Sequence, residues 1–166
     1  EGDTNKIKMK LKGDFTDHLE GDKWSFRVKL KKKKTLMGMR VFSLQHPGTR
    51  KFLNEWIFHQ FLENEGIINL RYKFVHLYLN DDDLGVYALE EGFEKNLIEN
   101  NELRAGPILK FSEELLWESN YYNDFKDTYN DVYTYSAIEP YQESKTLKDS
   151  SLRQQYLIAV SLLEKF

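Results

Sequence analysis

The 166-residue chain has no cysteine. Disulfides, thiolate metal centres and a cysteine nucleophile are excluded, although the redox compartment is not fixed by this. Long apolar runs are also missing, so neither a membrane-spanning helix nor a signal peptide is expected. No stretch has the Gly/Ser/Pro bias of a linker, and no internal repeat is apparent. The chain carries no nucleophile elbow, Walker loop, dinucleotide fingerprint or zinc motif. His18, His46, His59 and His76 do not fall at paired metal-ligand spacing, and His76, within a strand pattern, is expected to be a satisfied core histidine. Asp81, Asp82 and Asp83 could attract a divalent cation, but adjacent turn side chains seldom converge, so a solvated turn is the expectation.

What remains suits a folded domain. Apolar residues make up 40% of the chain, enough for a core, and the length fits one domain or a large piece of one. The chain opens at Glu1-Gly2-Asp3 without an initiator methionine and stops on an apolar helical stripe, so a piece of a longer protein is expected. The net charge of −3 hides an asymmetry: residues 1–51 carry 14 Lys/Arg against 6 Asp/Glu, and residues 52–166 carry 10 against 21. A basic first third points to phosphate on a nucleotide, a nucleic acid or a phospholipid, unless it is simply a solvated lysine-rich hairpin.

Alternation predicts strands at Lys6–Leu11, at Lys23–Leu30 and at Met39–Leu44. Phe74–Glu91, FVHLYLNDDDLGVYALEE, predicts two strands joined by an acidic turn at Asn80–Asp83, with both faces covered. Between these lies a helix from about Arg50 to Asn64, capped by Thr49 and closed by Gly66. Phe52, Leu53, Trp56, Ile57, Phe58, Phe61 and Leu62 leave it almost no polar arc, so burial on most sides is expected. A short helix at Phe93–Asn101 and a strand at Gly106–Phe111 follow. Residues 117–145 are acidic and hold six of the ten tyrosines. Their poor periodicity suggests a long excursion or lid, its rings either stacking on a ligand or packing onto the domain. Ser150 or Ser151 caps a last helix with a stripe of Leu152, Tyr156, Ala159, Leu163 and Phe166.

Lys23, Ser25, Arg27 and Lys29 alternate along one strand face, a row able to neutralise nucleotide phosphates. Glu55 projects from the apolar helix and needs a partner, because an unpaired buried charge costs several kcal/mol. The basic strands are its nearest supply. Either Glu55 orients a strand cation toward a triphosphate, or its contact is structural.

The ordered pieces KMKLKGDFTDHLEGDKWSFRVKL, LMGMRVFSL, RKFLNEWIFHQFLENEGI and FVHLYLNDDDLGVYALEE resemble the CotH family of spore-coat-type atypical protein kinases. The likeness spans about residues 6–111 and rests on Lys12, Gly13, Lys23, Ser25, Gly38, Glu55, Gly66, Asn80, Gly85, Tyr87 and Glu90. Asp14 stands where the family commonly has Asn, and Asp81 replaces a turn Gly. The resemblance implies an α+β fold: an antiparallel sheet with a packed helix, similar to a kinase N-lobe over residues 1–92, and a partial helical second lobe over 93–166. It also implies ATP and Mg²⁺ as cofactors, the Mg²⁺ ligands lying outside this piece, a protein substrate and no nucleic-acid partner. Lys23, Ser25, Arg27 and Lys29 would contact the phosphates, with Glu55 as the helix partner. Ala88, Leu89 and Glu90, within a hinge at residues 88–92, would hold adenine. No catalytic residue and no Mg²⁺ ligand are expected in this piece, so it should bind nucleotide weakly and transfer nothing. A non-catalytic surface or coat scaffold, or a polyanion- or carbohydrate-binding module on the same fold, is the alternative.

Overall fold

The computed structural model describes residues 4–13, 16–19, 21–104, 106–115 and 136–165. The fold is α+β, and the chain divides into two units, Glu1–Ala105 and Gly106–Phe166.

The first unit is built on a five-stranded antiparallel sheet. Its strands are β1 (Ile7–Leu11), β2 (Phe26–Leu30), β3 (Val41–Gln45), β4 (Tyr72–Leu79) and β5 (Asp82–Glu91), in the spatial order β1-β2-β3-β5-β4. Helix α1 (Asn54–Asn64) lies between β3 and β4 in the chain and packs on β4, and α2 (Lys95–Asn100) follows β5. Directly opposed residues share a face of the sheet, so the register sorts the side chains. One face carries the apolar row Leu11, Phe26, Leu44 and Leu89, with Met9, Val28 and Phe42 beside it. Phe26, Val28, Leu30, Met39, Phe42, Leu44, Tyr87 and Leu89 form the buried core, and Val75, Leu77, Leu79 and Leu84 pack against it. Each such residue contributes about 2 kcal/mol when fully buried. Glu91 is also buried here. Its carboxylate takes two bonds from Arg71, at 2.8 Å from Nε and 2.6 Å from Nη2.

The opposite face carries a polar row across all five strands, Lys10, Arg27, Ser43, Glu90 and Tyr72, with Lys8, Lys29 and Val41 alongside. Helix α1 sits on the β4 side of this face, where His59 stacks on Tyr72 with ring centres 5.7 Å apart.

Several expectations are corrected. The predicted helix from Arg50 is broken: Pro47–Arg50 is a 3-10 turn, Lys51 and Phe52 are left-handed (φ 48° and 59°), and α1 starts at Asn54. Thr49 therefore caps no helix, and its hydroxyl bonds the His46 carbonyl at 2.8 Å. Gly66, at φ +68°, does end the helix as expected. Helix α1 is not buried on most sides. His59 is its one buried residue, and Leu53, Ile57, Phe58 and Phe61 are all more than half exposed. Nor is the β4–β5 ribbon covered on both sides, since Phe74, His76 and Tyr78 on edge strand β4 are exposed. His76 is accordingly no core histidine; it pairs with Asp83 at the surface.

The second unit contains a two-stranded ribbon of β6 (Leu109–Phe111) and β7 (Ile138–Pro140), then α3 (Glu143–Lys148) and α4 (Ser150–Leu163). Asp149, not a serine, caps α4: its carboxylate accepts the Leu152 N–H at 3.0 Å. The Tyr156 hydroxyl fastens α4 to the ribbon by donating to the Ile138 carbonyl at 2.7 Å. Most of the tyrosine-rich segment, residues 116–135, lies outside the described residues. Its end is regular, forming β7 and α3. Among the described residues, no helix is long and apolar enough to cross a membrane.

Candidate functional site

Period-two alternation in β1 puts Lys8 and Lys10 on the polar face, and the next residue in step is Lys12. Its backbone N–H bonds the Ser25 carbonyl at 2.9 Å, which extends the pairing beyond both strands. The ammonium reaches across the sheet to Gln45 Oε1 at 3.1 Å and Glu90 Oε2 at 2.9 Å. Gln45 Nε2 donates to the same Glu90 oxygen at 3.0 Å, closing a triangle. A half-buried, charge-assisted network of this kind fixes its members far better than an exposed pair would.

Glu55 lies beside it. Its ion-pair partner is Arg50, with Nε 3.0 Å from Oε2, and not a strand cation. The left-handed break at Lys51–Phe52 makes this possible, because it folds Arg50 back over the first turn of α1. Burial raises the Glu55 pKa, and the like charge of Glu90 adds to the effect; Arg50 and Lys12 oppose it. Burial also pushes Tyr72 up to about 12, aided by Glu55, and the hydroxyl approaches Gln45 without reaching hydrogen-bond geometry. His59 is lowered by burial, and neither ring nitrogen has a hydrogen-bond partner.

The residues expected to act together are dispersed. Arg27 and Lys29 share the polar face of β2, and among the described residues neither makes an ion pair or side-chain hydrogen bond. Lys23 and Ser25 precede β2. Ser25 is buried, with its hydroxyl 2.9 Å from His18 Nδ1. Gly13 permits that packing: it has φ +137°, and a Cβ there would come within 2.4 Å of His18. Lys23 turns toward the β4–β5 hairpin, 3.4 Å from the Val86 carbonyl oxygen and 5.7 Å from the centre of the Tyr87 ring. Ala88, Leu89 and Glu90 lie inside β5, paired with β3 on one edge and β4 on the other, so their backbone groups belong to the ladder. The Asp83 carboxylate accepts from the Gly85 N–H at 2.8 Å and sits 2.5 Å from His76 Nε2, which holds its pKa low. Among the described residues, no group of three or more His, Asp or Glu side chains is placed to hold a metal ion.

Sequence reasoning passed over Lys12 as a site residue because its strand pattern was ended at Leu11. Carrying the alternation one step further, Lys8-Lys10-Lys12, was the available signal. Arg50 was missed because a continuous helix would have turned it away from Glu55.

The polar face has two electrostatic halves. Beside α1, the acids Glu55 and Glu90 balance Arg50 and Lys12. Over β1 and β2, Lys8, Lys10, Arg27 and Lys29 have no such counter-charges among the described residues. The class so defined is an α+β protein whose sheet presents a face of lysine and arginine side chains next to a packed helix. The family model for the CotH kinase protein matches residues 9–159, and the chain belongs to that family. No curated protein matches the chain. Membership supports a kinase-like or coat-related function.

Proposed function

We propose that this chain is the nucleotide-binding portion of an atypical protein kinase that transfers the γ-phosphate of ATP to Ser or Thr of a protein, with residues 1–92 as the nucleotide lobe and 93–166 as the start of a second lobe. The observation that carries this reading is the Lys12–Gln45–Glu90 triangle at the border of the uncompensated cations over β1 and β2. Lys12 is pre-oriented there, while Arg27 and Lys29 keep their charges available. An anionic polyphosphate fits such a surface, since preset cations lose little entropy on binding and gain charge-assisted bonds.

Bound ATP would supply the transferable phosphoryl group; the chain's own residues hold and orient it. Lys12, Arg27 and Lys29 would neutralise phosphate oxygens. Glu55 and Arg50 would fix the first turn of α1 against the site. Phosphoryl transfer depends chiefly on positioning and charge stabilisation, which is what these residues offer. Among the described residues no group of three or more His, Asp or Glu side chains is placed to hold Mg²⁺.

Titration of the chain with a fluorescent ATP analogue tests the reading. Lys12→Met is expected to weaken binding by about tenfold, the cost of one charge-assisted contact. Lys23→Ala should have little effect, because Lys23 lies at the hairpin. Binding indifferent to Lys12→Met and Glu55→Ala, or no binding at all, identifies a scaffold and overturns the proposal.

A further inference from the structure

The end of α1, the start of β4 and the end of α2 enclose a cavity of about 370 Å³, within the range of small-molecule sites. It belongs wholly to the first unit, and none of Lys12, Gln45 and Glu90 lines it. Seven of its nine lining residues carry an amide or a charge, so the walls suit a hydrophilic ligand. Three of these side chains are pinned by the fold. Asn69 Nδ2 donates to the His59 carbonyl at 3.0 Å, Asn100 Nδ2 to the Gly38 carbonyl at 3.1 Å and Asn101 Nδ2 to the Leu97 carbonyl at 2.7 Å. A backbone carbonyl only accepts, so each bond fixes which end of the amide is nitrogen. Each amide spends a donor on the fold and keeps its Oδ1 lone pairs: among the described residues these oxygens accept no hydrogen bond. Gly38 makes room for the arrangement. It has φ +77°, and a Cβ there would come within 3.0 Å of Arg71 Nη1 and 3.5 Å of Asn100 Nδ2.

Charge decides the class of ligand. Arg71 is committed: Nε and Nη2 bond the Glu91 carboxylate, and Nη1 bonds the Met37 carbonyl. The remaining charges of the lining are Glu63 and Lys73, one of each sign, both exposed and without ion-pair partners among the described residues. The lining is therefore balanced in charge and rich in acceptors, with the three asparagine oxygens, the Glu63 carboxylate and the Gln60 amide. An anion would meet these oxygens with one uncommitted cation to offset them. A cation would meet Lys73. An apolar molecule would strip water from the amides and replace none of its hydrogen bonds. A neutral molecule dense in hydroxyl groups suits the set, because each hydroxyl can donate to a fixed oxygen and accept from Lys73 or Gln60.

We propose that this cavity is a binding site for a neutral saccharide, with Asn69, Asn100, Asn101, Gln60 and Glu63 accepting hydrogen bonds from its hydroxyl groups and Lys73 donating to one of them. Preset amide oxygens lose little freedom on binding, which offsets the small apolar contact area. The site does not rest on the nucleotide reading, since none of Lys12, Arg27 and Lys29 belongs to it.

Proton–nitrogen correlation spectra of the isotope-labelled chain, titrated with maltotriose, cellotriose and mannotriose, are the test. At least one of these sugars should shift the side-chain amide signals of Asn69, Asn100 and Asn101, with a dissociation constant on the order of 1 mM. Sulfated maltotriose and the glucosamine trimer, an anionic and a cationic counterpart, should bind at least about tenfold more weakly. Gln60→Ala with Glu63→Ala should weaken binding of the neutral sugar about tenfold. Unchanged circular dichroism and melting are expected for this pair, because both side chains are exposed and make no bond among the described residues. Glu63→Gln keeps an acceptor oxygen and should bind within about threefold of wild type. Lys12→Met, the variant that tests nucleotide binding, should leave sugar binding unchanged, so the two proposals fail separately. Four outcomes would overturn the assignment: no shift with any of the three sugars, shifts elsewhere but not at these asparagines, tighter binding of a charged counterpart, or full binding by the double alanine variant.

Discussion

The two faces of the five-stranded sheet solve opposite problems. The face bearing Phe26, Leu44 and Leu89 buries hydrocarbon together with the carboxylate of Glu91, which Arg71 meets with two bonds. The face bearing Lys10, Arg27 and Glu90 collects charge, and the helix laid on it turns its polar side inward. A helix normally contributes to stability by burying its apolar stripe. Here α1 buries His59, half-buries Glu55 and leaves its phenylalanines outside. One face stabilises the fold, and the other keeps polar groups in an environment where their protonation and partners are unusual.

This contrast can be broken most severely on the core face. Leu89→Ala should cost about 3 kcal/mol in chemical denaturation, by lost transfer energy and a residual cavity. Arg27→Ala, two strands away on the polar face, should stay within about 0.5 kcal/mol. A smaller but opposite effect is expected under α1. His59 is buried with both ring nitrogens unpartnered, so His59→Phe should raise stability by about 1 kcal/mol at neutral pH. The gain should grow as pH falls: the histidine's folded pKa lies below its unfolded value, so the wild-type fold loses stability on acidification through the unfolded pKa, and phenylalanine has no proton to take up. Loss of stability in this variant would show that His59 has a partner.

The smallest effect sharpens the comparison through pH alone. Glu55 has a raised pKa in the folded state, caused first by burial. The fold therefore holds this proton more tightly than the unfolded chain does. The stabilising contribution is complete below the unfolded pKa near 4.5 and is lost as pH climbs through the folded value. Glu55→Gln should thus be more favourable relative to wild type at pH 7 than at pH 4, as read from melting midpoints at the two pH values. The reverse order would mean that the Arg50 pair outweighs desolvation.

Much of the fold was legible in the sequence. Period-two alternation locates β1, β2 and the β4–β5 hairpin, because a strand with one buried face must alternate. Gly66 marks the end of α1, where a left-handed residue is needed. The same alternation places Arg27 and Lys29 on one face. It could not place Lys23, which lies outside the ladder, and it gave no hint of the crossing from Lys12 to Glu90 over 78 residues of chain. Nor could it tell which side of α1 meets the sheet. With apolar residues nearly all round, periodicity offers little to choose by, and the choice falls to whichever side chains the facing strands can accommodate.

The amino-acid pattern alone located most of the strands, the last helix and the basic bias of the first third, since these follow from side-chain period and charge count; the antiparallel sheet was implied by the family resemblance. The pairing of Lys12 with Glu90, the return of Arg50 to Glu55 and the outward arc of α1 were decided only by tertiary structure. Each depends on how far one element lies from another, and that distance is set by the packing of the whole unit.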